Sequence, residues 1–204
     1  MTLAEGALVE PLSIGVYSLK LFGDAPPEKI AILGSGPIGL SVLLVARVYG
    51  IRTIYTTDKI EERVKAARKA GATWSGNPEK SDIVAEIRAR EPGLLDAVFE
   101  CCGDQAALDQ AVNLLRPGGK LMILGIPVPD RISFDIHRLR RKEISLINVR
   151  RQRRCVSETI DLIKDRKVDV RFMATHEFSL EETAQAFELV AGYSDGVIKA
   201  IIRN

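Results

Sequence analysis

From Lys29 onward the chain alternates short apolar runs with longer stretches at helical spacing. KIAIL at 29–33 is a continuous apolar run of strand length, as expected for a strand covered on both faces. Residues 37–49 carry apolar side chains at helical intervals and stop at Gly50, a good helix-ending residue. A second strand is predicted at 52–57, and a charged amphipathic helix at 60–70, closed by Gly71. A short strand near 72–74 precedes a helix at 82–90, with Ser81 as its cap and Pro92-Gly93 beyond its end. Then come a strand at 95–101, a helix at 105–115 and the turn Arg116-Pro117-Gly118-Gly119. Strands at 120–124 and 143–149 and a helix at 156–165 complete the series. Such alternation predicts an α/β fold with a doubly wound, mainly parallel sheet. The ends fit less regularly. Residues 1–21 read as helix, with Pro11 tolerated in a first turn and Gly15 a weak point. Ser179 with Glu182 three residues on reads as a capping box for a helix to about Val190, and 197–202 as a strand.

The junction of the first strand and helix carries the chemistry. It reads Gly34-Ser35-Gly36-Pro37-Ile38-Gly39, a Gly-x-Gly-x-x-Gly run. Gly34 lets the chain turn sharply out of the strand. Gly36, with no Cβ, lets a pyrophosphate lie against the backbone, and Gly39 lets the helix pack closely on the strand. The helix N-terminus then offers free N–H groups and partial positive charge to phosphates. Alone the run is weak evidence. Here it follows a strand pattern and opens a helix pattern, and the second strand ends in Asp58, nineteen residues past Gly39. That spacing suits an acid gripping a ribose diol, so the pattern predicts a dinucleotide-binding Rossmann fold.

Composition narrows the function classes. The chain has 204 residues, 46% hydrophobic and 27% charged, an ordinary globular make-up. A net charge of +2 implies no strong field for nucleic acid or membrane. The longest apolar stretch is broken by Arg47 and too short to span a bilayer, and Glu5 and Glu10 speak against a secretory leader. Cys101, Cys102 and Cys155 form no Cys-x-x-Cys and read as reduced thiols of a cytoplasmic protein. His137 and His176 are isolated, so no zinc-ligand spacing exists. The basic run from Arg138 to Arg154 has no interleaved aromatics, which argues against nucleic acid and for a solvated rim with one or two arginines turned to a ligand.

The stretches GALVEPLSIGVYSLK, AILGSGPIGLSVLLVARVYG, TTDKIEERVKAARKAGA, DAVFECCG, LLRPGGKLMILGIP and VDVRFMATHEFSLEETAQAFELV resemble, in order and over nearly the whole chain, the zinc-dependent medium-chain dehydrogenases, nearest to the sorbitol and threonine dehydrogenase branch. The resemblance implies hydride transfer between an alcohol or polyol and NAD. It places Gly34, Gly36, Pro37, Ile38 and Gly39 at the pyrophosphate and Asp58 and Arg63 at the adenosine ribose, with Asp58 favouring NAD over NADP. Cys101, Cys102 and Gly103 fall at the sheet's ligand-binding edge. Leu124, Gly125 and Ile126 match the loop holding the nicotinamide carboxamide. Val149, Arg150 and Arg151 match a segment contacting nicotinamide and substrate. Where polyol dehydrogenases carry Arg-Tyr, this chain has Arg151-Gln152, which puts a sorbitol-like substrate in doubt. Glu10 stands in the Glu-Pro motif that lies near the catalytic zinc in the family, either binding it or serving as an ordinary helix-N-terminal acid. The family's zinc ligands, from an N-terminal GroES-like domain, have no counterpart here. Residues 1–23 therefore read as a remnant helix of that domain, 24–168 as the NAD-binding domain, and 169–204 as a segment returning to the catalytic domain. A homodimer or homotetramer is expected, and the chain alone is expected to be inactive. Two other classes stay open: a non-catalytic NAD(H)-binding module, and an S-adenosylmethionine-dependent methyltransferase, whose Gly-rich first loop and late strand are similar.

Overall fold

The structure, a computed structural model, describes residues 1–23 and 25–203, so the drawn domain limits at 24 and 204 lie outside the described residues. Six strands form one sheet in the order β3-β2-β1-β4-β5-β6. They are β1 (Lys29–Leu33), β2 (Thr53–Thr57), β3 (Trp74–Gly76), β4 (Leu95–Glu100), β5 (Leu115–Ile123) and β6 (Ser145–Asn148). Every neighbouring pair is parallel. Strand order reverses direction between β1 and β4, which opens a crevice at the carboxyl edge there.

The helices cover both faces. α1 (Leu3–Ala7) leads into α2 (Val9–Phe22), which packs with α3 (Pro37–Val48), α4 (Glu61–Lys69) and α8 (Val156–Lys164) on one face. On the other lie α5 (Ile83–Arg90), α6 (Gln105–Leu114) and α7 (Ile136–Lys142). Double coverage explains why β1 reads as an unbroken apolar run, with Ile30, Ala31, Ile32 and Leu33 all buried.

Several expectations needed correction. α7 was not anticipated; Asp135 starts it by accepting a hydrogen bond from the Arg138 amide. Glu143, expected in the sixth strand, caps α7 instead in a left-handed conformation, and β6 is correspondingly shorter. The cap of α5 is Asp82 rather than Ser81, through the Ala85 amide at 3.0 Å. Gly15 is no weak point but the place where α2 meets α3, since a Cβ there would sit 2.8 Å from the Ser41 carbonyl. The Arg116-to-Gly119 turn is a bulge within β5, where the register with β4 shifts between Leu95 and Ala97.

After α8 the chain makes β7 (Ala174–Ser179), α9 (Thr183–Ala191) and β8 (Lys199–Arg203), with β7 and β8 paired in a separate parallel two-stranded sheet. β7 was not anticipated. The expected capping box is half formed: Glu182 accepts from the Ser179 amide, but Ser179 closes β7 and α9 starts at Thr183. No helix among the described residues is long and apolar enough to cross a membrane.

Candidate cofactor site

At the end of β1 the chain turns at Gly34, whose φ of +96° lies in the region that favours glycine, and its amide donates to the Thr57 carbonyl at 2.9 Å. Gly36 is the N-cap of α3 with no side-chain cap bond, and Pro37 follows at the first helical position. The first-turn amides of α3 are thus left for a ligand. Gly39 sits against the loop: a Cβ there would lie 2.9 Å from the Gly34 carbonyl carbon and closer still to its oxygen. Ile38, in the same turn of α3, lines the groove beside Gly34, Gly36 and Pro37.

Asp58, just past β2, is anchored from both sides. Its Oδ2 accepts from the Ser35 amide at 2.7 Å and its Oδ1 from the Ile60 amide at 2.9 Å. The carboxylate is therefore fixed beside the glycine loop. Arg63, on α4 and only 8% exposed, is turned to the C-terminal segment. Its Nε donates to the Val197 carbonyl at 2.9 Å, its Nη2 donates to the same oxygen, and its guanidinium lies 5.4 Å from the centre of the Tyr193 ring. Its Nη1 remains close to Gly36. Arg63 thus joins the glycine loop to the tail, a tie that sequence spacing did not reveal.

Two grooves of about 480 Å³ each meet at Gly34, Asp58 and Arg63. One continues past Cys101 and Cys102 under Phe187, Val190 and Lys199 of the tail. The other runs past Lys59, Glu79 and Gln110, where Lys59 pairs with Asp104 at 3.0 Å. A wider cleft of about 1010 Å³, between α3, α4 and the segment around Val168 and His176, contains none of the glycine-loop residues. The tail's share of the groove, Phe187, Val190, Tyr193 and Lys199, was missed from sequence, where those residues carried only a helix and a strand signal.

Farther along the carboxyl edge, buried Glu100 joins two loops. Its Oε1 accepts from the amides of Cys102 at 2.7 Å and Gly103 at 2.6 Å, and its backbone carbonyl accepts from those of Leu124 and Gly125. Gly125 is required here, because a Cβ would lie 2.5 Å from Glu100 Oε2. Oε2 itself has no hydrogen-bond partner among the described residues. Burial, with the Glu100 charge beside it, pushes the half-buried Cys101 thiol up, so it is not poised as a nucleophile. Ile126 is 91% exposed at the lip of this loop. Next to it the Val149 amide donates to the Ile123 carbonyl at 2.9 Å, which sets Val149, Arg150 and Arg151 beside Leu124. The structure therefore brings the expected residues, except Arg63 on α4 and Glu10 on α2, into one row along the carboxyl edge of β2, β1, β4, β5 and β6.

The uncapped amides, the two close-packed glycines and the fixed acid fit a dinucleotide. A metal is another matter. Among the described residues no three His, Cys, Asp or Glu side chains are grouped to hold an ion. Glu10 lies exposed in the first turn of α2.

Residues 37–165 match the family model for zinc-binding dehydrogenases. The chain is 32% identical over 200 residues to a sorbitol dehydrogenase of Bacillus subtilis, covering 97% of this chain and 56% of that protein. A solved Escherichia coli oxidoreductase/dehydrogenase of unknown specificity is similar with a TM-score of 0.90 at 33% identity, over 98% of this chain and 58% of that one. A putative zinc-binding dehydrogenase of Sinorhizobium meliloti, solved bound to NADP, gives a TM-score of 0.87 at 26% identity, over 98% and 59% of the two chains. The chain spans a little over half the length of these relatives.

Proposed function

The chain belongs to the zinc-binding dehydrogenase family, and from that premise we propose that it forms the NAD(H)-holding part of an alcohol or polyol dehydrogenase acting in the cytoplasm. The observation that carries this is the uncapped start of α3 at Gly36 with Asp58 fixed beside it. Bound NAD would supply the hydride acceptor. The chain's own residues do the holding. Amides at the start of α3 take the pyrophosphate, the Asp58 carboxylate takes ribose hydroxyls, and the backbone of Leu124, Gly125 and Ile126 takes the carboxamide. Val149, Arg150 and Arg151 border the nicotinamide end, with Arg151 the candidate for touching substrate. Among the described residues no three His, Cys, Asp or Glu side chains are grouped to hold an ion, so no step is assigned to zinc; in a whole enzyme Glu10 would lie near the metal.

Fluorescence titration tests this reading. NADH is expected to bind, S-adenosylmethionine is not, and with added zinc the chain alone is expected to show no turnover of sorbitol, threonine or simple alcohols. Binding of S-adenosylmethionine in place of NADH would replace the dehydrogenase reading. Chelator-sensitive NAD reduction would reveal a metal site built from the residues present.

The proposal extends to assembly. β6 is an edge strand with unpaired backbone groups, Leu146 on it is 41% exposed, and Ile126 and Val128 stand out from the adjoining loop. We expect two copies to pair edge to edge through β6, as a dimer or as half of a tetramer. Light scattering should give twice the chain mass, and Leu146→Lys should lower it. A native chain that stays monomeric at micromolar concentration would refute the pairing.

A further inference from the structure

Glu100 is the last residue of β4 and only 1% exposed. Its Oε2 is a buried oxygen with no hydrogen-bond partner among the described residues. Leaving a buried carboxyl oxygen unsatisfied costs stability, and an apolar side chain would fill the same space without that cost. The other oxygen, Oε1, offsets it. It accepts from two amides of a single turn, those of Cys102 at 2.7 Å and Gly103 at 2.6 Å. The side chain thus does one thing well, which is to hold the Cys102–Gly103 turn in place.

That turn is packed closely on both sides. Towards β5, Gly103 takes a φ of +72°, and a Cβ on it would lie 2.7 Å from the Ile126 carbonyl carbon. A Cβ on Gly125 would lie 2.8 Å from Gly103 Cα and nearer still to its nitrogen. Towards β1, a Cβ on Gly34 would lie 3.1 Å from Cys102 Cβ and 3.2 Å from the Cys102 nitrogen. The Cys102–Gly103 turn is therefore a wedge between the glycine loop and residues 124–126. The glycine loop has anchors of its own, from the Gly34 amide to the Thr57 carbonyl and from the Ser35 amide to Asp58. The loop after β5 rests on the wedge through Gly125 and Ile126, so its position follows that of the turn.

We infer that the Glu100 side chain is a positioning residue for the nicotinamide end of the cofactor: through the Cys102–Gly103 turn it sets where Leu124, Gly125 and Ile126 stand relative to the glycine loop. It acts through that turn, since Glu100 lines neither of the grooves that meet at Gly34. This rests on the assignment of Leu124, Gly125 and Ile126 to the carboxamide above. A dinucleotide spans both loops, whereas ADP-ribose, which lacks the nicotinamide, reaches only the glycine loop and Asp58. A fault in the spacing of the loops should therefore be felt by NADH and not by ADP-ribose.

The test compares the native chain with Glu100→Gln, Glu100→Asp and Glu100→Ala, by calorimetry with NADH and with ADP-ribose and by amide hydrogen exchange without cofactor. The first substitution keeps an oxygen within reach of the two amides, the second keeps the charge but is one methylene too short, and the third keeps neither. Glu100→Gln should bind both ligands within about threefold of the native chain. Glu100→Asp and Glu100→Ala should lose about tenfold or more for NADH, the worth of one or two hydrogen bonds to the carboxamide, and stay within about threefold for ADP-ribose. Without cofactor, the Leu124 and Gly125 amides, which bond to the Glu100 backbone carbonyl and not to its side chain, should exchange faster in these two variants and at the native rate in Glu100→Gln. Equal losses for NADH and ADP-ribose would mean a purely structural role and overturn the inference. So would native NADH affinity in Glu100→Asp, or unchanged exchange of Leu124 and Gly125 there. Should Glu100→Ala fail to fold, Glu100→Asp against Glu100→Gln makes the same comparison. Failure of the native chain to bind NADH would instead overturn the dehydrogenase reading, and the exchange rates would still decide whether this side chain sets the loop.

Discussion

Gly39→Ala is expected to abolish NADH binding and to lower stability by about 3 kcal/mol or more, the upper end of what overpacking costs. The added methyl would lie 2.9 Å from the Gly34 carbonyl carbon, nearer still to its oxygen, and 3.2 Å from Ile32 Cγ2. The first two obstacles are backbone, not the end of a flexible side chain. Relief requires α3 to lift from β1 or the Gly34 turn to open, and either displaces the amides at the start of α3. Chemical denaturation and NADH titration read the two effects. Gly6→Ala serves as the control, since nothing lies within 4 Å of its added Cβ and alanine favours the helix. Should Gly39→Ala lose less than about 1 kcal/mol and keep native NADH affinity, the close packing of α3 would not be what forms the cradle.

The parts of this arrangement that were legible in the sequence are those whose signal is local. β1, the glycine turn and α3 are contiguous, and each glycine has a separate steric reason. β2 and Asp58 follow within one βαβ unit. α7 was hidden because IHRLRRK shows only two apolar positions in a basic run; its one clear sign was Asp135 as a cap. The Arg63–Val197 bond joins residues 134 positions apart, so no window of sequence could show it. The same holds for Phe187 and Lys199 over the groove. Glu100 looked like the end of a buried strand, and only the loops packed around it show that it holds Gly103 and Gly125 together. Gly15 was misjudged because propensity alone counts a helical glycine as a loss, whereas here α3 occupies the space where a side chain would be.

The native chain is expected to bind NADH at least about a hundredfold tighter than NADPH, because like charge brought against the fixed Asp58 carboxylate costs several kcal/mol. The carboxylate cannot swing away without giving up the amides of Ser35 and Ile60. The cations nearest the Asp58 turn are drawn to other partners, while Lys199 lines the arm of the groove that runs past Cys101 and Cys102. Lys59 is paired with Asp104, and Arg63 is bound to the Val197 carbonyl. A similar dehydrogenase was solved bound to NADP, and in this chain the choice is expected to fall to the residue at position 58 and its surroundings. Asp58→Asn is the informative variant. It removes the charge but keeps one acceptor for a turn amide, so the loop has less reason to collapse than with alanine. Its NADH affinity should fall about tenfold with loss of the charge-assisted ribose bond, and its NADPH affinity should hold or rise. The ratio should then shrink to within about tenfold, as read by parallel fluorescence titrations. NADPH bound by the native chain as tightly as NADH, or a ratio unchanged in Asp58→Asn, would falsify the role given to Asp58. Discrimination would then have to come from the Lys59–Asp104 side of the groove.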